Sequence, residues 1–305
     1  MSGAETWTRR EVIKLAATAG LLPALSLAED KSMMTRKIPV SGEELPVIGL
    51  GTWQVFDVES SPDEIRLRQK IVDLLVEHGG SLIDTSPMYN RSEQVIGEVL
   101  EASGNREKLF LATKVWTDGK ASGERQMQRS AELMNAGEID LMQVHNRRDL
   151  DTHLGTIREW QEQKRIRYNG VTDYRESAHD EMEDVIKRYE PEFIQINYSL
   201  GEHGADDRLL PAAQESGVAV LVNRPYMSGQ LFRAVGKSEL PEWARSFANS
   251  WGQFFLKFIV SHPAVTAAIP ATSSVRHMTD NLAAGFGEMP DAAMRARMIS
   301  FIESI

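Results

Sequence analysis

The chain has 305 residues, with 34 Lys and Arg against 44 Asp and Glu, a formal net charge of −10 and no cysteine. The missing cysteines exclude disulfides, thiolate nucleophiles, Cys-ligated zinc and iron–sulfur clusters. The acidic balance argues against nucleic acid or an anionic membrane surface as the main partner, and the length suits one large domain or two small ones.

The first segment reads as an address. Arg9-Arg10 precede an uncharged stretch from Leu15 to Ala28. These fourteen residues are too few to cross a bilayer, which takes roughly 20 helical residues. Ser26 and Ala28 are small residues at the positions a signal peptidase reads, and Glu29-Asp30 follow. A basic start, an apolar middle and a small-x-small end predict a signal peptide over residues 1–28. The arginine pair resembles a twin-arginine (Tat) signal. That resemblance implies the Tat export machinery as a partner and a periplasmic location, with no stable membrane insertion after cleavage, or a tether if the signal stays uncleaved. It also raises the expectation of a cofactor enzyme, because this route carries folded proteins. Residues 29–305 would be the mature chain, at a net charge of about −11.

Next comes a small hairpin, with Ser41-Gly42-Glu43-Glu44 turning between Lys37–Val40 and Leu45–Val47. Eight short apolar runs follow: Val47–Gly51, Ser81–Asp84, Leu109–Val115, Asp140–His145, Ile166–Thr172, Phe193–Tyr198, Val218–Val222 and Val265–Ile269. Their length and Val/Ile/Leu content fit strands covered on both faces. Helical patterns lie between them, at Glu64–His78, Glu93–Glu101, Arg125–Ala136, Leu154–Gln163, Asp180–Tyr189, Asp207–Ser216, Trp243–Val260 and Val275–Ala284. Gly79-Gly80, Gly137 and Gly217 stand where helices should stop. Eight strand–helix units without a composition break predict a (β/α)8 barrel as one domain, with Pro290–Ile305 as an extra C-terminal helix. A doubly wound sheet shows the same alternation, so the count alone leaves it open.

Chemistry on a barrel sits at the C-terminal ends of its strands. The second run ends in Asp84, with Tyr89 in the loop beyond. The third carries Lys114, and the fourth ends in His145. A lysine inside a packed strand is costly unless paired, and Asp84 on the neighbouring strand is its partner. An ammonium beside a phenol favours the phenolate and should lower the Tyr89 pKa from about 10, making it a usable proton donor. His145 would polarise a carbonyl oxygen, and a hydride donor would complete the reaction.

These residues, with Gly49-Leu50-Gly51-Thr52-Trp53 and Leu82-Ile83-Asp84-Thr85-Ser86-Pro87-Met88-Tyr89, resemble the aldo-keto reductase superfamily. The resemblance implies a (β/α)8 barrel binding NADP(H) and reducing carbonyl compounds, with Tyr89 as general acid, Asp84 and Lys114 tuning it, and His145 orienting the substrate. It implies cofactor contacts from Gly51 and Thr52, and a nicotinamide carboxamide held by Thr172, Asp173 and Gln195, with Asp173 replacing a family Asn. In Asn223-Arg224-Pro225-Tyr226, Asn223 stands where many members stack an aromatic ring on the nicotinamide. That stack is then lost or supplied by another side chain such as Tyr226, and Arg224 could reach the pyrophosphate. Ser228-Gly229-Gln230-Leu231 resembles the phosphate-covering loop. After the eighth strand, Pro270, Thr272, Ser273, Ser274 and Arg276 offer phosphate contacts at a helix N-terminus. Here Ala271 and His277 depart from the usual Lys and Arg, and Asn281 matches an adenine contact. NADP is expected before NAD, with NAD(H) not excluded. Trp53, Trp116 and Asn146 would wall a pocket suited to an apolar or aromatic carbonyl compound.

Three other readings are weighed against this one. Gly49-x-Gly51 is not a dinucleotide fingerprint, because Gln54 stands where its third glycine should be. The seven histidines show no His-x-His or His-Glu-x-x-His spacing, so no metal is expected. A cofactor-binding sensor barrel with low turnover is the main rival, and the complete catalytic set weighs against it.

Overall fold

The computed structural model describes residues 32–305, and the leader read at 1–28 lies outside the described residues. The described chain begins with an antiparallel hairpin, β1 (Thr35–Lys37) and β2 (Glu44–Pro46). Eight parallel strands follow in sequential order: β3 (Leu50–Gly51), β4 (Leu82–Asp84), β5 (Phe110–Val115), β6 (Ile139–His145), β7 (Ile166–Asp173), β8 (Phe193–Asn197), β9 (Ala219–Asn223) and β10 (Ala267–Ala268). Hydrogen bonds from Gly49 N–H to Ala268 O (2.9 Å) and from Gly51 N–H to Pro270 O (3.2 Å) join the last strand to the first. The sheet is therefore a barrel, as expected, rather than a doubly wound sheet. Gly51 is required at this seam, since a Cβ there would lie 2.6 Å from Ile269 O.

The helices around the barrel are α1 (Pro62–Glu77), α2 (Ser92–Ser103), α3 (Lys120–Leu133), α4 (Leu150–Glu162), α5 (His179–Tyr189), α6 (Leu209–Glu215), α7 (Gln230–Val235), α8 (Trp251–Val260), α9 (Val275–Ala283) and α10 (Ala292–Glu303). Most begin or end within a few residues of expectation. The pattern read as one helix over Trp243–Val260 is shorter, because Ser250 caps α8 by accepting from Gln253 N–H and so fixes its start. α7 has only six residues and no amphipathic period long enough to register. The terminal helix α10 is clamped to the barrel by Arg295, which donates to Phe258 O and Tyr198 Oη and pairs with Asp206.

The interior of the barrel is layered along the strands. Its lower layer is apolar: Leu82, Phe110, Leu141, Tyr168, Phe193 and Leu221 cluster with Ile38 and Leu45 of the hairpin. Tyr168 Oη reaches Ser41 and Glu43 at 2.7 Å each, which fixes the hairpin across the N-terminal end as a plug. Side chains of a strand alternate faces, so interior positions recur every two residues. Two residues further on, the same strands present Asp84 above Leu82, Gln143 and then His145 above Leu141, and Gln195 above Phe193, with Lys114 above Ala112. The polar layer therefore lies at the C-terminal ends, where this fold presents its chemistry.

Candidate active site

Lys114 is completely buried, and its ammonium is held by Asp84 Oδ2 at 2.7 Å and Thr85 O at 2.6 Å. The other oxygen, Asp84 Oδ1, accepts from Gln195 Nε2 at 2.7 Å and Gln143 Nε2 at 3.2 Å. The carboxylate is thus satisfied on both sides, which is what a charge in a barrel interior requires. Burial disfavours the Lys114 charge, but Asp84 and Tyr89 outweigh it and hold the lysine pKa above its ordinary value.

Tyr89 hangs over this pair from the loop between β4 and α2. Its ring centroid lies 5.2 Å from Lys114 Nζ, and its ring meets His145 edge-on at 6.2 Å. The loop is anchored by Thr85 Oγ1 donating to Ser92 Oγ (3.1 Å) and Tyr89 N–H donating to Ser86 O (3.0 Å). Burial pushes the Tyr89 pKa up, and the pull of Lys114 only partly offsets it. This corrects the expected lowering: the phenol keeps its proton at neutral pH, and Lys114 limits the rise. His145 is driven down to about 3, first by burial and then by Lys114, and is therefore a neutral imidazole. Its Nδ1 lies 3.1 Å from Ser86 Oγ. The structure thus brings Asp84, Tyr89, Lys114 and His145 together.

The residues assigned to the cofactor divide into two groups. Arg224, Met227, Ser228 and Gly229 all have positive φ, and Pro225 and Leu231 are buried beneath this loop. Within it Met227 N–H donates to Arg224 O at 2.9 Å and Gly229 N–H to Tyr226 O at 2.8 Å, so these residues close a compact turn beyond the end of β9. Asn223 Oδ1 and Arg224 Nε are buried at the end of β9 with no hydrogen-bond partner among the described residues. After the neighbouring strand β10, Ser274 caps α9 by accepting from His277 N–H, and Thr272 Oγ1 accepts from Ser274 N–H at 3.0 Å. Ala271, Ser273, Arg276 and His277 are exposed beside that helix start, and Pro270 is buried below it. These features fit a phosphate-bearing nucleotide.

The second group is engaged within the protein. Asp173 binds Arg175 through both oxygens (2.7 and 3.0 Å) and Arg147 Nε at 3.1 Å. Burial raises its pKa, yet the two guanidinium groups outweigh burial and keep it ionised. Its acceptor sites are filled, so the expected carboxamide contact is not available to it. Gln195 donates to Asp84 and accepts from Thr172 Oγ1 at 3.3 Å, so its amide too supports the barrel interior. Tyr226 does not replace the missing aromatic stack: its hydroxyl donates to Asn281 Oδ1 at 2.6 Å, and its ring packs on Phe232 and Phe255. That bond also occupies the Asn281 oxygen. Thr52 donates its N–H and hydroxyl to Asp84 O, bracing the first loop.

Of the expected pocket walls, Trp53 is half exposed at the mouth. Asn146 adopts φ 51° directly after His145. Trp116 lies under the Arg148 guanidinium at 4.6 Å, and Arg148 pairs with Asp118. Sequence reasoning did not find Gln143, Ser86, Arg147 or Arg175. Gln143 and His145 are two apart on one strand and share the interior face, so the period-2 rule alone would have found that partner.

The buried histidines set an expected pH response. His262, beside Arg295 and Asp206, is held down to about 4, first by burial. An unfolded chain protonates both histidines near pH 6.5, while the folded protein keeps them neutral. The unfolded state therefore binds more protons, and stability should fall as pH drops from 6.5 toward 5, at a slope approaching about 2.7 kcal/mol per pH unit for two protons. Glu93, whose carboxyl burial pushes up, acts in the opposite direction. Urea unfolding at several pH values measures the slope, and His145→Asn should remove about half of the histidine contribution.

The comparisons with known proteins agree with this geometry. The chain is similar to the methylglyoxal reductase YeaE of Escherichia coli, 28% identical over 261 residues, covering 82% of this chain and 89% of that protein. It is also similar to an NADH-specific methylglyoxal reductase of Escherichia coli, 26% identical over 245 residues, covering 69% of this chain and 73% of that protein. A Klebsiella pneumoniae aldo/keto reductase crystallised with NADP and acetate superposes with a TM-score of 0.74 at 24% identity, covering 86% of this chain and 93% of that one. The model of the Aldo/keto reductase family matches residues 47–297. With a parallel eight-stranded barrel and a Tyr, Lys, Asp and His set at its C-terminal mouth, the chain belongs to the Aldo/keto reductase family.

Proposed function

We propose that the protein is an NADP(H)-dependent reductase that converts aldehydes and ketones to alcohols after export by the twin-arginine route, working in the periplasm. The observation that carries the chemistry is the convergence of a proton-bearing Tyr89, a buried Lys114 and a neutral His145 at one mouth of the barrel. When bound, the reduced nicotinamide supplies a hydride to the carbonyl carbon. Tyr89 gives its hydroxyl proton to the carbonyl oxygen as negative charge develops there. Lys114, fixed by Asp84 and Thr85, stabilises the phenolate left behind. His145 donates a hydrogen bond that orients the carbonyl and polarises it.

The loop Arg224–Gly229 and the start of α9 would hold the phosphates. Because the protein is acidic overall, that binding rests on local groups such as Arg224, Arg276 and backbone N–H groups. The NADP seen with the Klebsiella pneumoniae neighbour supports this choice, while the NADH-specific relative keeps NAD(H) as the alternative cofactor. The half-exposed Trp53 and the Trp116 wall favour an apolar or aromatic carbonyl compound. Arg9-Arg10 and the uncharged stretch after them support export.

Expression of the full chain in a bacterium, followed by purification from the periplasmic fraction, tests both parts. The expected result is protein that carries nucleotide and oxidises NADPH when given an aldehyde panel. Protein confined to the cytoplasm would overturn export. Bound cofactor without turnover would overturn the reductase reading in favour of a sensor.

A further inference from the structure

The hydroxyl of Ser86 is completely buried, and its hydrogen bonding can be accounted for atom by atom. Its oxygen accepts from Met88 N–H at 3.2 Å, and it lies 3.1 Å from His145 Nδ1. No other group among the described residues is within hydrogen-bond reach of it. A serine hydroxyl offers one proton and two lone pairs. If Nδ1 carried the proton and donated to Ser86, both lone pairs would be used and the hydroxyl proton would be buried with no acceptor. Leaving a buried donor unmade is costly. If the hydroxyl donates to Nδ1 instead, every group is satisfied. That arrangement needs Nδ1 unprotonated, and a neutral imidazole then carries its proton on Nε2. A doubly protonated ring would orphan the same hydroxyl proton and would also face the Lys114 ammonium.

We infer that Ser86 is a positioning residue that donates its hydroxyl proton to His145 Nδ1 and so locks the imidazole as the Nε2–H tautomer. The consequence rests on the reductase reading given above. With Nδ1 tied to Ser86, the donor at the opposite edge of the ring is the one left for a carbonyl oxygen. A neutral Nε2–H lends a hydrogen bond without surrendering its proton, so Tyr89 is the sole acid of the pair. The division of labour between the two side chains is thereby set by a third residue that touches neither substrate nor cofactor. Which nitrogen of a catalytic histidine is protonated is commonly decided by the partner of the other nitrogen, and here that partner is a single hydroxyl rather than a carboxylate or a carbonyl.

The test reads the tautomer directly. In uniformly 15N-labelled full-length protein at pH 7, with His145 assigned by its loss in His145→Asn, the expected spectrum shows an unprotonated, hydrogen-bonded Nδ1 and a protonated Nε2. Ser86→Ala should shift the Nδ1 resonance and mix the two tautomers. It should lower kcat/KM for a carbonyl substrate about tenfold, the loss of roughly one hydrogen bond, with the Kd for NADPH within twofold of wild type. Ser86→Cys keeps the shape and a weak S–H donor and should fall between the two. A protonated Nδ1 in the wild type, or His145 resonances unchanged in Ser86→Ala, would overturn the inference. The locked tautomer in a protein that turns over no carbonyl compound would uphold the role of Ser86 and sink the reductase reading instead.

Discussion

Replacing Tyr89 with Phe is expected to lower kcat by about 10²–10⁴, the range lost when a positioned general acid is removed, while the Kd for NADPH stays within twofold. The variant ring keeps its place over the Lys114 ammonium and against the His145 edge, so only the hydroxyl is lost. No neighbour can take over the proton transfer. His145 is neutral at working pH, and Lys114, fully buried and held by Asp84 and Thr85, keeps its pKa above the ordinary value and is a poor acid. Single-turnover kinetics with preloaded cofactor separate the chemical step from binding. Wild-type kcat in this variant would show that the proton comes from elsewhere.

The second large effect is on stability. Lys114→Met is expected to cost about 3–5 kcal/mol, because it strands one buried charge of a pair. Asp84 would keep the amides of Gln195 and Gln143 on one oxygen and lose its ammonium on the other. The methionine fills most of the space, so the loss reports charge rather than a cavity. Adding Asp84→Asn to this variant removes the stranded charge and should recover part of the loss. Urea unfolding of both variants measures this. If Lys114→Met unfolds with wild-type stability, the Asp84–Lys114 pair is not a structural element of the barrel. Activity should fall in both variants, since the phenolate of Tyr89 would lose its counter-charge.

The barrel strands were legible because burial on both faces leaves unbroken apolar runs, and three of the four site residues interrupt those runs at their C-terminal ends, with Tyr89 in the loop beyond the second. Asp84, Lys114 and His145 are visible as polar residues in places where polarity must be justified. The partners of those residues were harder to see. Arg147 neutralises Asp173 from another strand's end, and nothing in linear spacing announces a pairing between residues 26 apart, whereas Arg175 lies only two residues beyond Asp173. The fate of Tyr226 was hidden for the same reason, since its tie to Asn281 spans 55 positions. The direction of the Tyr89 shift was misjudged because sequence names the neighbouring charge but not the depth of burial, and depth outweighs charge there.

Among the described residues, the hairpin plug closes the lower end of the barrel. With Ile38 and Leu45 packed into its floor, the Lys114 ammonium has no route to water from below, and its upper side is roofed by the ring of Tyr89. A proton surrendered by Tyr89 must therefore be restored from the open mouth, through the same opening that admits substrate and releases product. Refilling the acid and clearing the site become successive uses of one passage, so a slow-leaving product would hold back the return of the proton as well as the entry of the next substrate.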